Sequence, residues 1–225
     1  MTIIKICGIT RLVDARAALQ SGADLLGFNF YAASPRSISP DDCTAITSEI
    51  AQEFPRAILV GVFVNMPFDH INEIMQRCGL QLAQLHGDEM PQTLKNLQEH
   101  GFKAFRNIPK PAVCREYASF MQDRAPVFLV DAAVNGLYGG SGVTADWQAA
   151  AQLARQYPIL LAGGLTPANV AEAIHKVHPW GVDTASGVET SPREKDSQKI
   201  QAFVQAVRKY TDNATLADRP DASQN

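Results

Sequence analysis

Several things are scarce in this chain of 225 residues, and each scarcity excludes something. There are only four cysteines, Cys7, Cys43, Cys78 and Cys114, with no C-x-x-C pair and no Cys/His cluster at zinc-ligand spacing. A disulfide framework and a structural zinc site are therefore not expected, and no metal or cofactor is called for. Charge of one sign is missing too: 20 basic against 23 acidic residues leave a net charge of -3. That argues against nucleic acid as a partner and requires any anionic ligand to be held by local groups. No apolar run approaches the roughly 20 residues of a membrane-spanning helix. The start, MTIIKICGIT, lacks a basic region followed by a long apolar stretch, so the expected location is the cytoplasm, with free thiols and no membrane partner. Gly and Pro, at 15 and 13, are at ordinary levels, which excludes collagen-like and low-complexity chains. Finally, no G-x-G-x-x-G turn follows the first apolar run, where an open dinucleotide-binding sheet would carry it.

What is present is a series of short apolar runs: IIKIC from Ile3, LLGFNF from Leu25, AILVGVFV from Ala57, LAQLH from Leu82, FKAFR from Phe102, VFLVD from Val127, ILLAGG from Ile159 and VDTAS from Val182. They are too short for buried helices and too evenly apolar for a sheet with one wet face, which is how parallel strands covered on both sides read. Stretches with helical spacing separate them. One follows Thr10, a potential N-cap, with Leu12, Ala15 and Leu19 on one face and Gly22 as the stop; others follow Pro40, Pro67, Pro91 and Pro167. Eight strand and helix pairs in about 210 residues fit a single α/β domain, a (β/α)8 TIM barrel over residues 1–210. Functional residues after many strands favour closure over an open sheet. Residues 211–225 are polar and without apolar periodicity, and read as a disordered C-terminal tail.

In such a barrel the loops after the strands gather at one mouth. Gly163 and Gly164 end the seventh run ahead of a helix start, and Ser186 and Gly187 follow the eighth. Backbone N–H groups of adjacent loops and a helix N-terminus make an anion cradle. Gly139, Gly140, Ser141 and Gly142 after the sixth run can close over the same group, so the small-molecule ligand is expected to be phosphorylated. Cys7 and Asp131 end the first and sixth runs. A thiol beside positive charge can act as base or nucleophile, and a partly buried carboxyl can act as an acid. Arg36, in Ser34-Pro35-Arg36, can clamp a carboxylate through its fork. His86 can carry a proton or hydrogen-bond a substrate, and Asp183 reads as a residue that orders the loops. From the residues alone, a lyase on the same fold with a lysine acid, or a non-catalytic phosphate-binding barrel, remains open.

The motifs KICGIT at 5–10, GFNFYAASPR at 27–36, VGVFV at 60–64, QLHGDE at 84–89, GGSG at 139–142, LAGGLTPANV at 161–170 and GVDTASGVE at 181–189, in this order, resemble the phosphoribosylanthranilate isomerases of tryptophan biosynthesis. The resemblance implies an Amadori rearrangement of N-(5-phosphoribosyl)anthranilate to 1-(2-carboxyphenylamino)-1-deoxyribulose 5-phosphate without metal or cofactor, by a monomer or homodimer. It also implies Asp131 as acid, Cys7 as base and Arg36 as the holder of the anthranilate carboxylate. The chain departs from the family pattern at Thr184, where an apolar residue is usual, at Ala185, where a hydroxyl is usual, and at Ala145, where phenylalanine is common. These changes fall on the phosphate loops.

Overall fold

The computed structural model describes residues 1–97, 100–120, 126–132 and 146–217, with side chains as far as 210. All eight runs form parallel strands: β1 (Ile3–Cys7), β2 (Leu25–Asn29), β3 (Ile58–Phe63), β4 (Leu82–Leu85), β5 (Gly101–Phe105), β6 (Phe128–Asp131), β7 (Ile159–Ala162) and β8 (Gly181–Thr184). Each pairs with its sequence neighbour, and β1 pairs with both β2 and β8, so the sheet closes on itself. The helices α1 (Leu12–Ser21), α2 (Pro40–Glu53), α3 (Phe68–Arg77), α4 (Pro91–Leu97), α5 (Pro111–Ala118), α6 (Trp147–Ala154), α7 (Val170–Val177) and α8 (Ser197–Ala217) return the chain between strands and after the last one. The (β/α)8 barrel expected from the spacing is the observed architecture.

The helices start and stop for identifiable reasons. Pro40 and Pro111 occupy first-turn positions, where a missing N–H breaks no intrahelical bond. Ser39 caps α2 by accepting from the Asp42 N–H at 3.1 Å. Gly22 ends α1 with φ 102°, a backbone state that L side chains resist.

Three boundaries differ from the sequence reading. The N-cap of α1 is Arg11, not Thr10, and the Thr10 hydroxyl donates to the Arg193 carbonyl at 2.9 Å. Pro167 lies three residues before α7; Asn169 shapes the intervening turn, accepting from the Thr166 N–H at 2.8 Å and donating to the Gly164 carbonyl at 3.0 Å. The last helix continues to Ala217, so the boundary expected at 210 falls inside α8; residues 218–225 lie outside the described residues. Helical backbone hydrogen bonds can carry a helix past the last residue that has an apolar face to bury, and so past the point where periodicity fades. A short antiparallel hairpin not foreseen from the pattern, β9 (Glu189–Ser191) with β10 (Glu194–Lys195), precedes α8.

The core lies between the strands and the ring of helices, where Ile4, Ile6, Phe28, Val60, Phe128, Leu160 and Phe203 are fully buried. On one side a chain of edge-on aromatic contacts runs from Tyr117 through Phe105 and Phe128 to Tyr157, with centroids 5.6, 5.3 and 5.2 Å apart. Among the described residues no helix is long and apolar enough to cross a membrane.

Candidate active site

At the C-terminal ends of the strands lies a cavity of about 280 Å³. Closure of the barrel brings to it Cys7 from the end of β1, Arg36 from the loop after β2, His86 from beyond β4 and Asp131 from the end of β6. Gly163 and Gly164 line it after β7, and Asp183, Ser186 and Gly187 line it on and after β8. Gly140, Ser141 and Gly142, together with Ala145, lie outside the described residues. Every candidate within the described residues thus reaches one cavity, from six strands that are far apart in sequence.

The β1 side is built by strand alternation. Cys7 and Lys5 are two residues apart and so share a face, while Ile4 and Ile6 take the other. Lys5 is fully buried, and its ammonium donates to Asp183 Oδ1 at 2.8 Å from the neighbouring strand. Burial works against the Lys5 charge, but the charges of Asp183 and then Cys7 outweigh it, and its pKa is raised. Gly27, paired in register with Cys7, leaves the room for this. A Cβ there would lie 2.7 Å from Cys7 Sγ and 3.1 Å from Lys5 Nζ.

Arg36 reaches the cavity already paired. Its Nε and Nη2 donate to the two oxygens of Glu189 at 2.8 and 2.6 Å, a bidentate contact that occupies one edge of the guanidinium. The edge formed by Nη1 and the second Nη2 hydrogen makes no hydrogen bond among the described residues. Gly8 allows the close passage, since a Cβ on it would come within 2.5 Å of Arg36 Cδ. Glu189 also accepts from Lys195 at 2.8 Å, and the same ammonium donates to the carbonyls of Cys7 at 2.7 Å and Ala185 at 3.0 Å. One buried carboxylate thereby ties the Arg36 loop to the ends of β1 and β8. Burial opposes its charge, and the hydrogen bonds from Arg36 and Lys195 prevail, holding it below the usual carboxylate range. Glu189 and Lys195 were not singled out from the sequence. Glu189 stood inside a quoted motif, but no local pattern marks a surface-type residue as the hub of a buried network.

His86 is mostly buried, and its pKa falls from 6.5 to about 4. Burial is the main cause, followed by the cations Lys5, Lys103 and Arg106, with Asp183 pulling the other way. It is therefore neutral at ordinary pH. Its Nδ1 lies 3.0 Å from the Gln84 side-chain amide. A neutral imidazole can hydrogen-bond a ligand and is a weak base. The turn carrying it is fixed by Glu89, which accepts from the Gly87 N–H, the Asn65 N–H and, at 2.9 Å, the Lys103 ammonium.

The opposite wall is backbone. Gly164 adopts φ 64°, and a Cβ on Gly187 would overlap the Leu165 carbonyl oxygen, so the loops after β7 and β8 touch with no side chain between them. Thr184 joins them: its buried hydroxyl donates to the Leu165 carbonyl at 2.7 Å. The departure at this position thus supplies a hydrogen bond that an apolar residue could not make. A 3-10 turn over Ser186–Val188 follows β8, and its Ser186 and Gly187 line the cavity. Among the described residues no group of three or more His, Cys, Asp or Glu side chains could hold a metal ion.

Comparison with known proteins gives the same picture. The family model described as N-(5'phosphoribosyl)anthranilate (PRA) isomerase matches residues 4–206. An N-(5'-phosphoribosyl)anthranilate isomerase of Roseiflexus sp. is 47% identical over 92% of this chain and 98% of its own length. One from Chlorobaculum parvum is 45% identical over 97% and 100%. The crystal structure of phosphoribosyl anthranilate isomerase from Thermotoga maritima superposes with a TM-score of 0.82 at 37% identity, covering 93% of this chain and all of that one. A solved isomerase in complex with reduced 1-(o-carboxyphenylamino)-1-deoxyribulose 5-phosphate superposes with a TM-score of 0.79 at 34% identity, covering 93% and 100%. With near full-length matches at this identity and an unbroken barrel around the motifs that carry the resemblance, this chain belongs to the N-(5'-phosphoribosyl)anthranilate isomerase family.

Proposed function

We propose that this chain isomerises N-(5-phosphoribosyl)anthranilate to 1-(2-carboxyphenylamino)-1-deoxyribulose 5-phosphate, a step of tryptophan biosynthesis, with Asp131 as acid and Cys7 as base. The observation that carries the assignment is that these two side chains, from β6 and β1, line one cavity together with Gly163, Gly164, Ser186 and Gly187 from the loops after β7 and β8. Proton transfer from Asp131 to the ribose ring oxygen lets the anilino nitrogen push out the C1′–O bond, opening the ring to an iminium. Cys7 then takes the C2′ proton, and its electron pair forms the enolamine and neutralises the nitrogen. Return of a proton to C1′ and loss of the C2′ hydroxyl proton give the ketone, so the net change is an isomerisation and needs no redox partner.

The remaining candidates orient the substrate. Gly163, Gly164, Ser186 and Gly187 offer the phosphate their N–H groups, and Gly140, Ser141 and Gly142 are proposed to close over it. Arg36 presents its unoccupied edge to the anthranilate carboxylate, and His86 hydrogen-bonds a sugar oxygen. Asp183 acts at one remove, through Lys5. A lyase using a lysine acid is disfavoured because, among the described residues, no lysine lines the cavity. Solved relatives include monomers generated from the dimeric Thermotoga maritima enzyme, and monomer and homodimer are both compatible with this reading. The test follows the loss of anthranilate-conjugate fluorescence. Cys7→Ala and Asp131→Asn should each lower kcat by at least about 100-fold while binding of a sugar-phosphate inhibitor persists. Near-wild-type turnover in either variant refutes the assignment.

A further inference from the structure

Lys5 is among the largest fully buried side chains of the described residues, and it does not line the cavity. Its contact with Asp183 explains one of its three donors. We propose that Lys5 is the positioning residue for Cys7: its ammonium, pinned by Asp183, is the counter-charge against which the Cys7 thiolate is held for proton abstraction. The proposal rests on the reading of Cys7 as the base.

Three features of the fold support it. Lys5 and Cys7 alternate onto the same face of β1, and the Lys5 side chain reaches up to Gly27, the residue paired with Cys7. Gly27 stands opposite both: the atoms nearest the missing Cβ are Cys7 Sγ, Lys5 Nζ and Cys7 Cα, so no side chain separates sulfur from nitrogen there. The charged atom beside the sulfur at that point is the ammonium, not the Asp183 carboxylate that balances it. The other cations whose charge reaches Cys7 are Lys195 and Arg36, and both are bound to Glu189. Lys195 is further committed to the Cys7 and Ala185 carbonyls. Of these three cations, Lys5 alone is not bound to Glu189. A purely structural Lys5–Asp183 pair would staple β1 to β8 and leave the thiol indifferent to it.

Thiol reactivity separates the two. Cys43, Cys78 and Cys114 are buried and Cys7 is half-buried, so iodoacetamide reports on Cys7. In Lys5→Gln, which keeps a donor for Asp183 but removes the charge, alkylation at pH 7 should slow by about tenfold or more. The same variant should lose at least about tenfold in kcat with KM changed by less than about threefold. Affinity for inorganic phosphate and the far-UV circular dichroism serve as checks on folding. In Asp183→Asn, which leaves the Lys5 charge with one counter-ion fewer, alkylation should be at least as fast as in the wild type. A folded Lys5→Gln protein alkylated at the wild-type rate, or slower alkylation in Asp183→Asn, would overturn the proposal. Turnover surviving in Cys7→Ala would instead remove Cys7 as base, and the alkylation rates would still judge the coupling between Lys5 and the thiol.

Discussion

His86 makes the acid stability of this protein a measurable quantity. In the unfolded chain its imidazole titrates near 6.5, while in the folded protein burial and the surrounding cations hold it neutral down to about 4. Between these values the unfolded state binds a proton that the native state refuses. The sign is therefore definite: the contribution is fully favourable to the native state above pH 6.5 and is lost as pH falls towards 4, below which both states are protonated and the loss stops. At about 1.4 kcal/mol per pH unit, the gap between the two values corresponds to about 3 kcal/mol. Carboxylates titrate over the same range, so the measurement is a difference. Urea unfolding of the wild type and of His86→Asn, which keeps a hydrogen-bonding partner for Gln84, should be followed at intervals from pH 7.5 to 4. The wild type should lose about 3 kcal/mol more than the variant across that window. The imidazole C–H resonances of His86 provide a direct check, with a midpoint near 4. Parallel stability curves, or a midpoint near 6.5, would refute both the burial argument and the assignment of His86 as a neutral hydrogen-bonding group.

Four further outcomes follow from the site. Thr184→Val removes the hydroxyl that ties Leu165 to the β8 loop and should weaken a sugar-phosphate inhibitor by about 1 kcal/mol, read by calorimetry, with little change in kcat. Gly187→Ala places a methyl against the Leu165 carbonyl, so phosphate affinity should fall more steeply, in the same assay, than in Thr184→Val. Arg36→Ala should raise KM for the anthranilate conjugate, with roughly 1.5–3 kcal/mol at stake, and spare a ligand that carries only the phosphate. Lys103→Met removes the ammonium paired with the buried Glu89 carboxylate and should destabilise the fold by about 3–5 kcal/mol, read by urea unfolding.

The strands and the closing of the barrel were legible because parallel strands covered on both faces must be apolar along their length. The runs from Ile3 to Val182 mark that condition at every turn of the winding. The helix starts at Pro40 and Pro91 and the stop at Gly22 are equally local, since they depend on a missing N–H or a missing Cβ. Boundaries set by distant partners were not legible. Thr10 has the chemistry of a cap, but its hydroxyl is taken by Arg193, which lies beyond β9.

The same division runs through the site. Cys7, Asp131, His86 and the glycines after β7 and β8 could be named in advance because they end apolar strands, and strand ends of a barrel converge whatever the loops do. Their protonation and reach could not, because these depend on fields and contacts from other strands. His86 is neutral because of Lys5, Lys103 and Arg106 as well as burial. Arg36 offers one edge because Glu189 holds the other, and Cys7 faces an ammonium because β2 carries a glycine at the paired position. The sequence by itself determined the strand count, the winding and the residues at the mouth, since each follows from periodicity and chain neighbours. Only the tertiary structure decided which charges are buried together, because Coulomb interactions and desolvation depend on distances between strands that periodicity does not encode.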